Sequence, residues 1–118
     1  MSIYKIGERP LSISVVADII SEVREITLSA KAKQRINGCR KYLDDKIAES
    51  SDPIYGINTG FGSLCDHKIS KEDLSKLQRN LVLSHACGTG EEVPPKIVKI
   101  MLLLKVQSLS YGHSGVQL

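Results

Sequence analysis

The segment Tyr55-Gly56-Ile57-Asn58-Thr59-Gly60-Phe61-Gly62 concentrates the residues best suited to chemistry. Its three glycines fall within seven residues and permit backbone angles and close approaches that a Cβ forbids. The spacing is not that of a dinucleotide-binding G-x-G-x-x-G, and no Gly-Lys-Ser/Thr follows as in a phosphate-binding P-loop. The result is a tight loop flanked by two rings, Tyr55 and Phe61. On glycine count alone, the segment reads as a surface turn with Tyr55 as its packing anchor.

Other residues invite the same question. His85 continues the helical stripe Leu74, Leu77, Leu81, so its imidazole is expected to point inward. It is then either a hydrogen-bonded core histidine or a pocket-lining donor and acceptor for a polar ligand. Cys65-Asp66-His67 offers metal-ligand types, but nothing else at ligand spacing completes a set, so no metal is expected. Tyr111-Gly112-His113-Ser114-Gly115 sets Ser114 among glycines. It lacks both the G-x-S-x-G pattern and a preceding strand, so a helix-ending turn is expected rather than a nucleophile. Gly88-Thr89-Gly90 follows a helical pattern and reads as a C-cap turn.

The elements that must hold these residues are helical. Ser12 is placed as the N-cap of a first helix with Ile13, Val16, Ala17, Ile20 and Val23 on one stripe. A second runs from about Ser29 to Ala48, with Ala32, Ile36, Cys39, Leu43 and Ile47 inward. Ser51 to Ile69 is a long loop, and loops of that length in compact chains are more often functional than idle. Ser70 then caps a third helix, with Asp73 favourable in its first turn. Pro94 and Pro95 open a fourth. From Ile97 to Leu109 this last helix is apolar around almost its whole circumference, a pattern of helices buried on all sides. Three short amphipathic helices can cover one face of it. The pattern, with Val116-Gln117-Leu118 forming no polar tail, predicts a segment of a larger structure, itself without an internal boundary over residues 1–118.

Length and composition limit the rest. The 118 residues fit one domain, 42% are hydrophobic and 25% charged, and disorder or low complexity is excluded. A net charge of +3, with acids and bases interleaved in Arg40-Lys41-Tyr42-Leu43-Asp44-Asp45-Lys46, gives no nucleic-acid footprint. Three cysteines without a C-x-x-C suit a reducing compartment better than a disulfide framework. No secretory leader is visible, and the longest apolar run, Ile100 to Leu104, falls far short of the roughly 20 residues that span a bilayer. A cytoplasmic protein with neither nucleic acid nor membrane as partner is expected.

Three blocks, taken in order, resemble the start of a histidine ammonia-lyase, within the aromatic amino-acid ammonia-lyase and aminomutase family. They are Tyr55 to Gly62, Leu77-Gln78-Arg79-Asn80-Leu81-Val82-Leu83-Ser84-His85, and Lys105 to Gly115. The likeness covers essentially the whole chain, and Ser84-His85 is the feature similar to the histidine-using members. The resemblance implies a mainly α fold: the N-terminal helical segment of an ammonia-lyase-like bundle with a long Gly-rich active-site loop. It implies an enzyme that deaminates L-histidine to urocanate, works as a homotetramer and takes a small amino-acid substrate. The cofactor it implies is a methylidene-imidazolone, cyclised from an internal Ala-Ser-Gly, which activates the substrate amine while a base removes a β-proton. Tyr55 would be the catalytic acid/base, His85 with Ser84 would face the substrate imidazole, and Gly56, Asn58, Thr59, Gly60, Phe61 and Gly62 would form a lid that excludes water.

The sequence also departs from the family. It contains no Ala-Ser-Gly; His113-Ser114-Gly115 corresponds to a turn ahead of the cyclising residues, and Gln117 stands where a basic residue is usual. The 118 residues are therefore expected to be inactive alone. Another aromatic amino-acid lyase or aminomutase, or a non-catalytic helical interaction module, are the alternatives.

Overall fold

The computed structural model describes residues 3–22 and 25–118. In chain order the elements are β1 (Ile3–Ile6), α1 (Ile13–Ser21), β2 (Glu25–Leu28), α2 (Ala30–Glu49), a 3₁₀ turn (Gly62–Leu64), α3 (Leu74–His85) and α4 (Pro95–Leu109). The mainly α class is as expected. The chain forms two compact units, one made of Met1–Glu49 with Glu92–Leu118 and the other of Ser50–Glu91. Within the first unit α4 returns to pack on α1, so Ser50–Glu91 is an insertion in its sequence.

In the first unit, β1 and β2 pair in parallel, with Ile3 opposite Glu25 and Ile6 opposite Leu28. Parallel partners need a crossover, and α1 lies between them in sequence. Neither strand is legible as a periodic pattern, because four residues give only two alternations. Tyr4 and Ile6 point inward and join Ile19 and Leu103 in the buried core, with Leu11, Val15, Val16 and Leu28 packed around them.

Ser12 caps α1 as expected, its Oγ accepting from the Val15 amide at 3.3 Å. The buried face differs from the expected stripe. Ile13 is 91% exposed and Ile19 is buried, because the core lies against Val15, Val16 and Ile19. Val23 lies outside the described residues. In α2, Ala32 and Ile36 are buried and Cys39, Leu43 and Ile47 half-buried, the expected order. Ser29 caps this helix by accepting from the Ala32 amide at 3.1 Å, and its own amide donates to the Ile6 carbonyl at 3.0 Å.

The segment after α4 is stitched to α2. The Arg35 guanidinium donates to the carbonyls of Gly7 and Ser110, at 3.3 Å from Nη2 in each case. Arg40 donates to the Gly115 carbonyl at 3.3 Å. Gly112, at φ +76°, lies so close to the Arg35 backbone that a Cβ would sit 2.8 Å from it. Tyr111 to Gly115 is thus the helix-ending turn expected. On α4 itself Leu103 and Gln107 are buried, whereas Ile97, Val98, Met101, Leu102, Leu104 and Val106 are exposed. The apolar circumference finds cover on one side only.

Candidate active site

In the second unit the Tyr55–Gly62 loop is held by its own hydrogen bonds. Gly56 and Gly62 have φ of +73° and +57°, the left-handed region open to glycine. Gly60 is required by proximity, since a Cβ there would lie 2.6 Å from the Leu64 carbonyl oxygen. The Gly60 amide donates to the His67 carbonyl at 2.9 Å and the Ile69 amide to the Asn58 carbonyl at 2.8 Å. These bonds close the loop against residues 67–69, with Thr59 bridged antiparallel to Lys68.

The two rings of the loop meet edge to face, with centroids of Tyr55 and Phe61 6.2 Å apart and planes at 74°, a favoured aromatic geometry. The Tyr55 hydroxyl accepts from the Gly62 amide at 3.4 Å. Tyr55 is otherwise 64% exposed, so the phenol stands at the surface while Asn58 and Thr59 beneath it are buried. It is not a core packing anchor.

α3 starts later than the Ser70 cap suggested. Ser70 closes a preceding turn, its Oγ accepting from the Asp73 amide at 3.3 Å, and the helix begins at Leu74 with Asp73 as N-cap. Leu74, Leu77 and Leu81 are half-buried as expected, but His85 is exposed, which corrects its inward placement. The stripe loses its cover in the last turn, because the helix ends at His85. There the imidazole folds back on its own helix, with Nδ1 2.8 Å from the Leu81 carbonyl oxygen. The Ser84 hydroxyl donates to the same carbonyl at 2.9 Å and lies 3.1 Å from Nδ1. A carbonyl only accepts, so in the neutral ring Nδ1 carries the proton and Nε2 is left as an acceptor.

Tyr55 with its loop and Ser84-His85 therefore occupy one compact unit as two separately built sets. Among the described residues no hydrogen bond or ring contact joins them. Cys65, Asp66 and His67 are exposed, and no group of three His, Cys, Asp or Glu side chains gathers among the described residues. Ser114 is exposed on its turn. What sequence reading missed is the bracing function of Asn58, Thr59 and Arg35. Its only trace was the presence of hydrogen-bonding side chains inside or opposite glycine turns.

The family model for aromatic amino acid lyases matches residues 11–118, and the chain belongs to that family. Among individual proteins, the chain is 43% identical over 110 residues to the histidine ammonia-lyase of Deinococcus radiodurans and 44% identical over 108 residues to that of Legionella pneumophila. These matches cover 93% and 92% of this chain. It spans about a fifth of the length of these curated relatives, 21% in each case. The solved histidine ammonia-lyase of Trypanosoma cruzi superposes with a TM-score of 0.83 at 33% identity, covering 99% of this chain and 23% of that one. The ergothioneine-degrading ergothionase of Treponema denticola superposes with a TM-score of 0.90 at 29% identity, covering 98% and 23%.

Proposed function

We propose that this chain is the N-terminal part of a histidine ammonia-lyase, converting L-histidine to urocanate and ammonia. The observation that carries the histidine reading is the fixed imidazole of His85. With Nδ1 bonded to the Leu81 carbonyl, Nε2 is an acceptor, able to take a hydrogen bond from the N–H of a substrate imidazole. A phenyl or phenol side chain offers no N–H there. The identity to named histidine ammonia-lyases supports the same choice over other lyases and aminomutases.

The division of labour follows from the residues. Tyr55, exposed on a braced loop, takes or returns a proton at its hydroxyl. The Gly62 amide donates to that oxygen, an interaction that strengthens as negative charge builds on it. His85 and Ser84 orient the ring of the substrate. Gly56 to Gly62 form the lid that excludes water from the reacting carbon. The methylidene-imidazolone of the family requires Ala-Ser-Gly, which these 118 residues lack, so that group would come from elsewhere in the full-length enzyme. We read the whole enzyme as a cytoplasmic homotetramer. The three free cysteines suit a reducing compartment, and no helix among the described residues is long and apolar enough to cross a membrane.

The test is turnover by the full-length polypeptide. Incubated with histidine it should raise urocanate absorbance, while the 118 residues alone should not. Deamination of phenylalanine or tyrosine in preference to histidine would move the assignment to another member of the family.

A further inference from the structure

Asn58 and Thr59 are 6% and 1% exposed, although they sit in a glycine-rich surface loop where short polar side chains ordinarily face water. Both are fully engaged with backbone. The Asn58 Oδ1 accepts from the Ile54 amide at 2.6 Å, and its Nδ2 donates to the Asp52 carbonyl at 2.9 Å. The amide orientation is forced, because an N–H must meet the oxygen and a carbonyl must meet the nitrogen. The Thr59 Oγ1 accepts from the Gly56 amide at 3.3 Å and donates to the Gly60 carbonyl at 3.0 Å. Ile54 and Gly56 are the residues on either side of Tyr55. One side chain therefore grips the backbone immediately before the tyrosine and the next grips it immediately after. Among the described residues, the side chain of Tyr55 meets the Phe61 ring and the Gly62 amide.

We infer that Asn58 and Thr59 are positioning residues that aim the Tyr55 phenol by clamping the peptide on both sides of it. The loop then moves, when it moves, as one pre-shaped body, and the tyrosine geometry is already set before substrate arrives. A fixed proton-transfer group avoids the ordering entropy that a flexible one loses in each cycle. The inference rests on the reading of Tyr55 as the acid/base group.

Two measurements test it separately. Amide exchange on the full-length enzyme reads the clamp itself. Thr59→Val should speed exchange at Gly56 at least tenfold and remove the Tyr55–Phe61 ring contacts, while α3 amides are unchanged. Thr59→Ser, which keeps the oxygen, should restore both. Asn58→Asp keeps the acceptor for Ile54 and loses the donor to Asp52, so it should leave Ile54 protected. Unchanged Gly56 exchange in a folded Thr59→Val chain would overturn the clamp. In the full-length enzyme, Thr59→Val should lower kcat about ten- to hundredfold, in the range that misplacing a catalytic group by about 1 Å produces, with KM within about twofold and with rescue by Thr59→Ser. A normal kcat in Thr59→Val beside a depressed one in Tyr55→Phe overturns the positioning role. A normal kcat in Tyr55→Phe instead overturns the acid/base reading, and the exchange data still decide the clamp.

Discussion

The Nδ1 of His85 lies 2.8 Å from the carbonyl oxygen of Leu81, one turn back on the same helix. This contact folds the imidazole back onto the last turn of α3, and because a carbonyl only accepts, it sets Nδ1 as the protonated nitrogen of the neutral ring. A residue that terminates a helix is in this way also prepared as a hydrogen-bond acceptor.

The first prediction concerns that acceptor. In the full-length enzyme, replacing Ser84-His85 by Phe-Leu removes it and leaves a buried substrate imidazole unpaired. Such a loss costs about 1–3 kcal/mol, roughly a five- to hundredfold change in preference. Competition between histidine and phenylalanine on both proteins measures it. An unchanged ratio in a folded double variant would make His85 a helix-capping residue and nothing more.

A second prediction follows from α4. Ile97, Met101 and Leu104 recur at helical spacing and are 48%, 61% and 48% exposed. An apolar stripe of this kind is an interaction or aggregation surface. The isolated 118 residues should elute as dimers or larger species in size-exclusion chromatography and bind an apolar dye. Ile97→Lys with Met101→Lys should shift the profile toward monomer. A dye-negative monomer in the unaltered chain would contradict it.

The third prediction is structural. Gly112 combines a φ of +76° with a Cβ position 2.8 Å from the Arg35 backbone, so neither strain nor clash can be relieved by a rotamer change. Gly112→Ala should destabilise by about 1–3 kcal/mol, read as a lower Tm by circular dichroism. Gly38, with nothing within 4 Å of its Cβ position and a place inside α2, should tolerate alanine or gain from it. Equal effects at the two sites would refute the assignment of the turn as docked against α2.

A fourth prediction uses pH. Hydrogen bonding from the Arg40 guanidinium holds the Asp44 carboxyl below its ordinary value. Because the folded pKa is depressed, the contribution of the pair is complete above the unfolded carboxylate value of about 4 and is lost as pH falls through the folded one. The pair is exposed, so its effect is small. The Tm difference between the unaltered chain and Asp44→Asn should be present at neutral pH and shrink in strong acid. A difference independent of pH would mean the pair contributes nothing through charge.

These predictions rest on features that were legible in the sequence to different degrees. The helices, the Ser12 and Ser29 positions and the α2 stripe follow from local periodicity and capping, which a short window contains. β1 and β2 do not, because a parallel pair is made by residues far apart in the chain and each strand is too short to show its period. The inward face of α1 was displaced toward Ile19 by the strand pair it packs on. The later start of α3 came from Ser70 closing its own turn. At the site, Tyr55 and its glycines stand out by type, whereas the clamp by Asn58 and Thr59 depends on which backbone groups the turn brings within reach. The exposure of His85 depends on where its helix ends.

The role proposed for Tyr55 is proton transfer in the reaction of the full-length enzyme. Tyr55→Phe keeps the ring that packs edge to face on Phe61 and deletes the oxygen that accepts from Gly62. In the full-length enzyme this substitution should lower kcat about 10²–10⁴-fold, the range of general acid–base catalysis, with KM for histidine nearly unchanged. A raised KM at an unaltered kcat would contradict the claim and make Tyr55 a binding residue.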